Sequence, residues 1–340
     1  MREMLRFIAK RLALVPIQAV GVTIITFFLV RLLPGNPAQQ LAGPFGTPSV
    51  IASISKRLGL SKPIWTQYWL YLDNVIHFNL GTSFTTGRPV ASDIGTRLPA
   101  TLELITCALI VIVVLGIGLG TLIATRGGGI ADRVSFVYGL LGGAFPDFWF
   151  GLVAVYLFFF ELRWLPAPLG QLSISYATPP RVTGFVVIDS LLHGDIGAFG
   201  SALSHLILPV LTLVFVYMGP ILKMTRSRLR DMLESDFAEH ARAMGFDDRA
   251  VLRYALRSSL PPVVTLVGVT YSFLLGGAVL VETIFSWGGL GQYAVDAVRS
   301  SDYAAIQGVI LVAAIFNLIV YLVVDIIDRL IDPRIALAAE

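Results

Sequence analysis

The chain has 340 residues, of which 56% are hydrophobic and only 14% are charged, whereas soluble domains carry about 25% charged residues. A soluble fold of this length cannot bury so much apolar surface, so the composition predicts an integral membrane protein that the lipid bilayer partly covers. The net charge of +3 does not indicate a nucleic-acid partner, because the positions of the basic residues fit membrane orientation instead.

Apolar runs long enough to cross a bilayer, about 20 residues each, recur along the chain. Four of them are uncharged: Leu12–Val30, Leu104–Thr125, Val263–Val281 and Ala304–Val324. Two further runs are predicted to span. Val134–Phe160 contains one charge, Asp147, and the shorter Leu206–Leu222 contains Pro209 and Pro220. The sequence therefore predicts an all-α fold of about six transmembrane helices, with the weakest pattern in the fourth.

The distribution of lysine and arginine predicts the orientation. With the N-terminus inside, sixteen of these residues fall in internal segments and three in short external loops. The long external loop adds five, but loops beyond about 60 residues say little about orientation. Both termini are therefore expected in the cytoplasm. The predicted division is an amphipathic segment with the first span at 1–33, an extracytoplasmic loop at 34–103, and a core of spans 2–6 at 104–340 with a cytoplasmic loop at 223–262.

Two segments outside the predicted spans have amphipathic patterns. Arg2, Arg6 and Lys10 recur every four residues and so share one stripe of a helix. This stripe predicts a helix that lies on the inner leaflet and is held by anionic headgroups. Basic residues that merely flank the cytoplasmic end of the first span explain the pattern equally well. In the external loop, a second amphipathic helix is predicted by the spacing of Trp65, Tyr68, Trp69, Leu72, Val75 and Ile76.

The sequence lacks signatures of enzymes and metal sites. None of the four lysines follows a glycine, which excludes a phosphate-binding P-loop, and there is no G-x-S-x-G motif. The histidines are too scattered for a paired zinc motif. His193 with Asp195 is compatible with a metal site, but the pattern favours a solvated loop. The single cysteine, Cys107, excludes an internal disulfide. We expect neither catalysis nor a cofactor in this chain.

The longest internal loop, between Lys223 and Pro262, carries the most informative pattern. Asp236 is followed three residues later by Glu239, a spacing that predicts a capping box at the start of a helix. Gly245 supplies the left-handed residue that ends it. The pattern predicts a helix of about eight residues, which is a rod about 12 Å long.

A second helix is expected to follow, with Asp247 as its N-cap and an apolar face of Val251, Leu252, Ala255 and Leu256. In the short helix, Ala238, Ala241 and Ala243 are expected to point outward. Small outward side chains suit a helix that seats in a groove of another protein. The alternative interpretation is a solvated basic loop.

The segment Glu239-His-Ala-Arg-Ala-Met-Gly245 resembles the E-A-A-x-x-x-G coupling loop of binding-protein-dependent ABC importer permeases. More narrowly, the chain resembles, nearly end to end, the first permease subunit of dipeptide/oligopeptide importers. The motifs that carry this resemblance are Arg31-Leu-Leu-Pro-Gly-Asn-Pro-Ala38, Leu58-Gly-Leu, Gly81-Thr-Ser-Phe, Gly87-Arg-Pro-Val, Arg97-Leu-Pro-Ala-Thr-Leu-Glu103, Glu282-Thr-Ile-Phe-Ser-Trp-Gly-Gly-Leu-Gly291, Asp302-Tyr303 and Asp332-Pro-Arg334. The chain departs from the family pattern at Asn36, at His240 and in Ala255-Leu-Arg-Ser258.

The resemblance implies a type I ABC importer membrane domain in the cell membrane of a prokaryote. The implied partners are a second homologous permease, two ATPase subunits that bind ATP and magnesium, and an extracytoplasmic substrate-binding protein. Dipeptides, longer peptides, glutathione, haem and nickel chelates are all compatible substrates. The implied ATPase-coupling residues are Asp236, Glu239, Ala241, Arg242, Gly245 and Asp247.

Asp147 is the one charge deep in a predicted span, directly after Pro146. A charge at mid-bilayer costs about 2.5–3.5 kcal/mol on insertion scales, so Asp147 is not expected to face lipid. Pro146 is expected to kink the helix and to free the carbonyl of Gly142. We expect Asp147 to face the translocation path and to meet a cationic or amino group of the solute. A carboxyl group buried against a neighbouring helix, or protonated, is an alternative of equal weight.

Two other classes of membrane protein were weighed. A stand-alone secondary transporter or channel requires paired intramembrane charges or discontinuous repeats, and a single intramembrane aspartate does not favour it. A membrane-embedded hydrolase requires a catalytic set, which the sequence does not offer. The importer permease is therefore the preferred hypothesis.

Overall fold

A computed structural model describes residues 2–32, 37–43, 45–57, 59–126 and 129–331. Within these ranges the regular elements are helices, with one isolated β-bridge between Thr82 and Pro89. The helices are α1 Arg2–Leu32, α2 Pro37–Ala42, α3 Pro48–Arg57, α4 Ile64–Ile76, α5 Val90–Arg126, α6 Ile130–Leu141, α7 Asp147–Ala154 with a π-helical continuation Val155–Glu161, α8 Val186–Leu192, α9 Ile196–Leu233, α10 Asp236–Ala243, α11 Asp248–Ile284, α12 Leu290–Arg299 and α13 Tyr303–Ile331.

Four described helices are long and apolar enough to cross a membrane: α5, α9, α11 and the segment Tyr303–Ile327 of α13. They contain the predicted runs that begin at Leu104, Leu206, Val263 and Ala304. The run with the weakest sequence pattern lies in α9, a continuous helix of 38 residues with Pro209 and Pro220 inside it. Helix α1 adds a shorter apolar stretch, Ala13–Leu29.

The predicted run Val134–Phe160 does not form one continuous helix. Helix α6 ends at Leu141, an irregular turn occupies residues 142–146, and α7 begins at Asp147. Pro146 has extended backbone angles, φ −61° and ψ 139°, and is the N-cap of α7. Because proline has no N–H and disfavours helical geometry in the residue before it, it breaks this helix instead of kinking it.

Several predicted motifs lie wholly or partly outside the described residues. They are the motif at 31–38 with Asn36, the motif that begins at Leu58, and the motif at 332–334. The backbone of the N-terminal segment is helical from Arg2 onward, as its pattern predicts. The basic stripe of that segment concerns side chains outside the described part of the chain.

The chain forms two compact units, residues 1–100 with 288–319, and residues 101–287 with 320–340. In the first unit, the first turns of α5 pack with α12 and the start of α13 around a buried apolar cluster. The buried carboxylate of Asp302 accepts hydrogen bonds from the Ser83 hydroxyl at 2.5 Å and from the backbone N–H groups of Thr85 and Ala305 at 3.2 Å each. These bonds attach the loop before α5 to the start of α13.

The predicted amphipathic helix in the N-terminal region is confirmed as α4. Its Tyr68 is buried against α1, where the Tyr68 hydroxyl lies 3.0 Å from Thr23 Oγ1 and its ring meets Phe27 edge-on at 5.3 Å. Trp65 and Trp69 each remain 65% exposed. Only part of the predicted apolar face therefore packs inside the chain.

In the second unit, glycines let α5 approach α9 closely. A Cβ atom at Gly116 would lie 2.8 Å from Ile221, and one at Gly120 would lie 2.8 Å from Thr225. The two glycines are four residues apart and so lie on one face of α5. Small residues at this spacing are typical of helix contacts in membranes, where close van der Waals packing, and not the hydrophobic effect, stabilises the contact.

Buried carboxylates organise the segment between α7 and α9. Glu103 of α5 accepts hydrogen bonds from the N–H groups of Val186 and Val187, at 3.0 and 2.8 Å, and so satisfies the start of α8. Asp189 accepts from the N–H groups of residues 182–184 and from the Thr183 hydroxyl. Burial alone raises the pKa of Asp189, but these hydrogen bonds outweigh burial and lower the pKa below its ordinary value.

Asp302 provides a test of this packing. Asp302→Ala leaves three donors without their acceptor, two of them buried, and hydrogen bonds to charged groups contribute about 1.5–3 kcal/mol each. We expect a loss of about 3 kcal/mol of stability, seen as a lower thermal unfolding midpoint in detergent. Asp296→Ala, an exposed aspartate on neighbouring α12, is the matched control and should change stability by less than about 0.5 kcal/mol. Equal midpoints for the two variants would contradict the structural role of Asp302.

Candidate functional site

The loop between α9 and α11 contains the predicted short helix as α10, which begins at Asp236. The predicted capping box is wrong. The N-cap is Ser235, whose hydroxyl donates to the Met232 carbonyl at 2.6 Å, and no side chain caps the helix. The Ser235 hydroxyl is unavailable because it bonds back to the end of α9. Asp236 and Glu239 are exposed in the first turn, where the helix dipole favours negative charge.

The predicted end of α10 and start of α11 are confirmed. Gly245 has φ +88°, the left-handed conformation, and the Phe246 N–H donates to the Ala241 carbonyl at 3.1 Å across it. The side chain of Asp247 then accepts from the Ala250 N–H at 3.2 Å and caps α11. Two tight hydrogen-bonded ends therefore fix the direction of α10 between the two long helices.

The predicted orientation of the alanines is wrong for two of them. Ala238 and Ala241 are buried and pack against Val251 of α11 and Leu233 of α9, whereas Ala243 is exposed. Positions 238 and 241 are three residues apart, so they share the face that α11 covers. Small side chains are required there because α10 lies close to its own flanking helices.

The outward surface of α10 and of the turn after it carries large apolar side chains. Phe237, Met244 and Phe246 are 48%, 73% and 51% exposed. The exposed Glu239 and His240 lie among them. We call these five residues the loop surface. The sequence did not lead us to predict its apolar members, although three large apolar residues in a polar, basic loop are a signal for such a surface.

Arg242 supports this loop from the side. Its Nε lies 3.4 Å from Asp248 Oδ1, and its Nη1 lies 3.4 Å from the Leu233 carbonyl oxygen. Both distances are long and the group is exposed, so the contribution to stability is small. Arg242 nevertheless bridges the end of α9 and the start of α11 around α10.

A chain of ion pairs connects the end of α9 with α6. Asp132, in the first turn of α6, lies 2.9 Å from Arg226 and 3.9 Å from Arg230. Arg230 also pairs with Glu234 at 3.0 Å, two residues before α10. The sequence alone did not indicate the pairs of Asp132 with Arg226 and Arg230, because they join segments nearly 100 residues apart. A displacement of α10 would reach α6 through them.

Asp147 is half-buried as the first residue of α7. One carboxylate oxygen accepts from the Phe148 N–H at 2.8 Å, and the other accepts from the Tyr217 hydroxyl of α9 at 3.2 Å. A Cβ atom at Gly277 of α11 would contact the Tyr217 hydroxyl and lie 2.7 Å from the Asp147 carboxylate. Three helices therefore meet at Asp147, and the sequence indicated neither Tyr217 nor Gly277.

Comparisons with known proteins agree over nearly the whole chain. Residues 116–337 match the family model of the binding-protein-dependent transport system inner membrane component, and residues 4–105 match the model of its N-terminal region. The chain is 41% identical to the di/tripeptide transport system permease DppB of Pseudomonas aeruginosa and 38% identical to the dipeptide permease DppB of Escherichia coli. It is 34% identical to the glutathione permease GsiC of Escherichia coli. Each comparison covers 98% of this chain and 99% of the relative.

The left-handed Gly245 predicts a local effect of substitution. Gly245→Ala forces a Cβ atom into a conformation that costs about 1–2 kcal/mol, so α10 should open more often. Hydrogen exchange of the α10 amides should accelerate by roughly tenfold in the purified protein. Gly95→Ala, in the interior of α5 with nothing within 4 Å of the added Cβ, is the control and should leave this exchange unchanged. Unchanged α10 exchange in Gly245→Ala would refute the role of Gly245.

Proposed function

Since this chain belongs to the family of binding-protein-dependent transport system inner membrane components, we propose that it forms half of the translocation path of an ATP-driven importer for dipeptides or related small peptides. The chain is a membrane permease component. The observation that carries the peptide assignment is its similarity, over 98% of its length, to two permeases of dipeptides and tripeptides. The glutathione permease, a more distant relative, transports a related peptide.

The proposed complex contains a second homologous permease, two cytoplasmic ATPase subunits and an extracytoplasmic substrate-binding protein. ATP and magnesium bind to the ATPase subunits, and this chain holds no cofactor. The assignment of ATP binding to separate subunits is consistent with this sequence, which contains no phosphate-binding loop. Substrate selection falls mainly to the binding protein, and the permease supplies the path.

The loop surface is the proposed contact with an ATPase subunit. Its exposed phenylalanines and methionine lose unfavourable contact with water when a partner covers them. Closure of the ATPases on ATP would displace α10, and the ion pairs of Arg226 and Arg230 with Asp132 would transmit the movement to α6. In this proposal the negative charges of Asp236 and Glu239 contribute to the affinity for the ATPase subunit. The residues that keep the loop in shape are Ala241, Arg242, Gly245 and Asp247.

The proposed topology has six spans with both termini in the cytoplasm. Helix α1 is the first span, and α5, α9, α11 and α13 are the second, fourth, fifth and sixth. The broken segment α6 and α7, with its π-helical continuation, is the third. The excess of lysine and arginine in the internal segments supports this orientation. The proposal also places Asp147 on the path between the two permeases.

Cysteine labelling tests the orientation. We expect an impermeant maleimide to label Thr85→Cys on intact cells or spheroplasts, because residue 85 is exposed and lies before the second span. Asp236→Cys, exposed at the start of α10, should react only after the membrane is permeabilised. Both variants carry Cys107→Ser, so that each protein has one thiol. Equal labelling of both positions on intact cells would overturn the orientation.

Removing the loop surface tests the coupling proposal. Burial of a phenylalanine contributes about 1.5–3 kcal/mol, so Phe246→Ala should weaken ATPase binding by roughly ten- to a hundredfold. ATPase copurification and dipeptide uptake by a deletion strain carrying the variant should both fall. The matched control is Phe78→Ala, at a residue that is 85% exposed and distant in sequence, which should bind the ATPases normally. Normal ATPase binding and uptake in a Phe237→Ala, Phe246→Ala double variant would exclude the loop surface as the contact.

A further inference from the structure

The break between α6 and α7 is anchored to α9 on both sides. Before the break, the Tyr138 hydroxyl donates to the Phe215 carbonyl of α9 at 2.7 Å. After it, the Tyr217 hydroxyl donates to the Asp147 carboxylate at 3.2 Å. The rings of Phe150 and Phe215 stack with centroids 3.9 Å apart and an angle of 3° between their planes. Contacts on both sides therefore hold the break in a defined position against α9.

The turn of the break is exposed although it lies inside an apolar run. Gly143 and Ala144, which lie between α6 and α7, are both exposed on this chain. Irregular backbone in contact with lipid does not occur within the hydrocarbon region, because its polar groups have no water to bind. This face of the turn is therefore not against lipid, and it borders either protein or a water-filled cavity.

Asp147 has no ion pair within the part of the chain that the structure describes. Its hydrogen-bond donors are the Phe148 N–H and the Tyr217 hydroxyl, and among the described residues it has no cationic partner. The N-terminal end of α7 stabilises the negative form. A carboxylate has about four lone-pair sites, so two remain open for a further donor.

We propose that Asp147 and Tyr217 form a binding site for a protonated amino group of the transported solute. The proposal rests on the proposed function and names the chemical group that the path recognises there. An ammonium group donates three hydrogen bonds, and both the carboxylate of Asp147 and the hydroxyl oxygen of Tyr217 accept. Gly277 keeps the neighbouring space open, since a Cβ atom there would contact both groups.

Two substitutions of Asp147 separate this role from a structural one. Asparagine keeps an oxygen that accepts from Tyr217 but removes the charge, whereas glutamate keeps the charge and lengthens the side chain. For a site that binds ammonium, Asp147→Asn should lower maximal dialanine uptake by about tenfold or more, and Asp147→Glu should retain most of it. A purely structural bond predicts the opposite order. Uptake in Asp147→Asn equal to that of the unaltered protein would overturn the proposal.

The assay uses the assembled transporter in proteoliposomes, with copurification of the partner subunits as a check on folding. Asp73→Asn, an exposed aspartate on α4, is the matched control and should leave uptake unchanged. Gly277→Ala should reduce uptake, whereas Gly276→Ala, with nothing within 4 Å of its added Cβ, should not. Equal uptake in both glycine variants would contradict the placement of the site.

The ammonium has two possible sources, the peptide N-terminus and a basic side chain. Comparison of alanyl-lysine with alanyl-norleucine distinguishes them. A similar loss for both peptides in Asp147→Asn assigns the site to the N-terminal ammonium. A larger loss for alanyl-lysine assigns it to the side chain.

A labelling measurement tests the site without transport. In a Cys107→Ser background, Gly143→Cys should react with a cationic, membrane-impermeant thiosulfonate in the assembled complex, because a solute site at Asp147 requires that water reach this turn. Val114→Cys, at an exposed apolar position of α5, is the control and should not react. No reaction at residue 143 in any nucleotide state would overturn the proposal. If the unaltered complex imports no peptide but residue 143 reacts, the peptide assignment fails and the hydrated turn stands.

Discussion

The absence of water in the hydrocarbon core is the constraint on which this structure depends, because every backbone N–H and C=O there must find a partner within the protein. Long helices meet this requirement, and α9 is the one around which the second unit packs. Of its most apolar 18 residues, 61% are buried inside the chain, against 28% for α5 and 33% for α11. Close contacts at Gly116 and Gly120 bring α5 against it.

Three buried carboxylates support loops and helix starts, and Asp147 differs from them. Glu103, Asp189 and Asp302 each accept several hydrogen bonds, mostly from backbone N–H groups of loops and helix starts. Each therefore stabilises a loop at its helix. Asp147 accepts one bond from its own turn and one from Tyr217, and retains acceptor capacity beside a break in the membrane run. This difference separates a carboxylate available for a ligand from those used for folding.

In the loop around α10, too, some residues support the fold and others are exposed for contact with a partner. Ala238, Ala241 and Arg242 face the flanking helices, while Phe237 and Phe246 face outward. A rigid loop with an apolar outer surface transmits displacement well, because the left-handed turn at Gly245 and the Asp247 cap of α11 hold its shape. The ion pairs of Asp132 extend this rigidity from the end of α9 to α6.

The sequence by itself determined the helical membrane class, the positions of four spans, helix α4, the end of α10 and the start of α11. Each of these depends on local composition, periodicity or a single capping residue such as Gly245 or Asp247. Tertiary structure alone decided which face of α10 points outward and that Tyr217 reaches Asp147. These outcomes depend on packing between segments 70 or more residues apart, or on which neighbour covers a face, and the one-dimensional pattern contains neither.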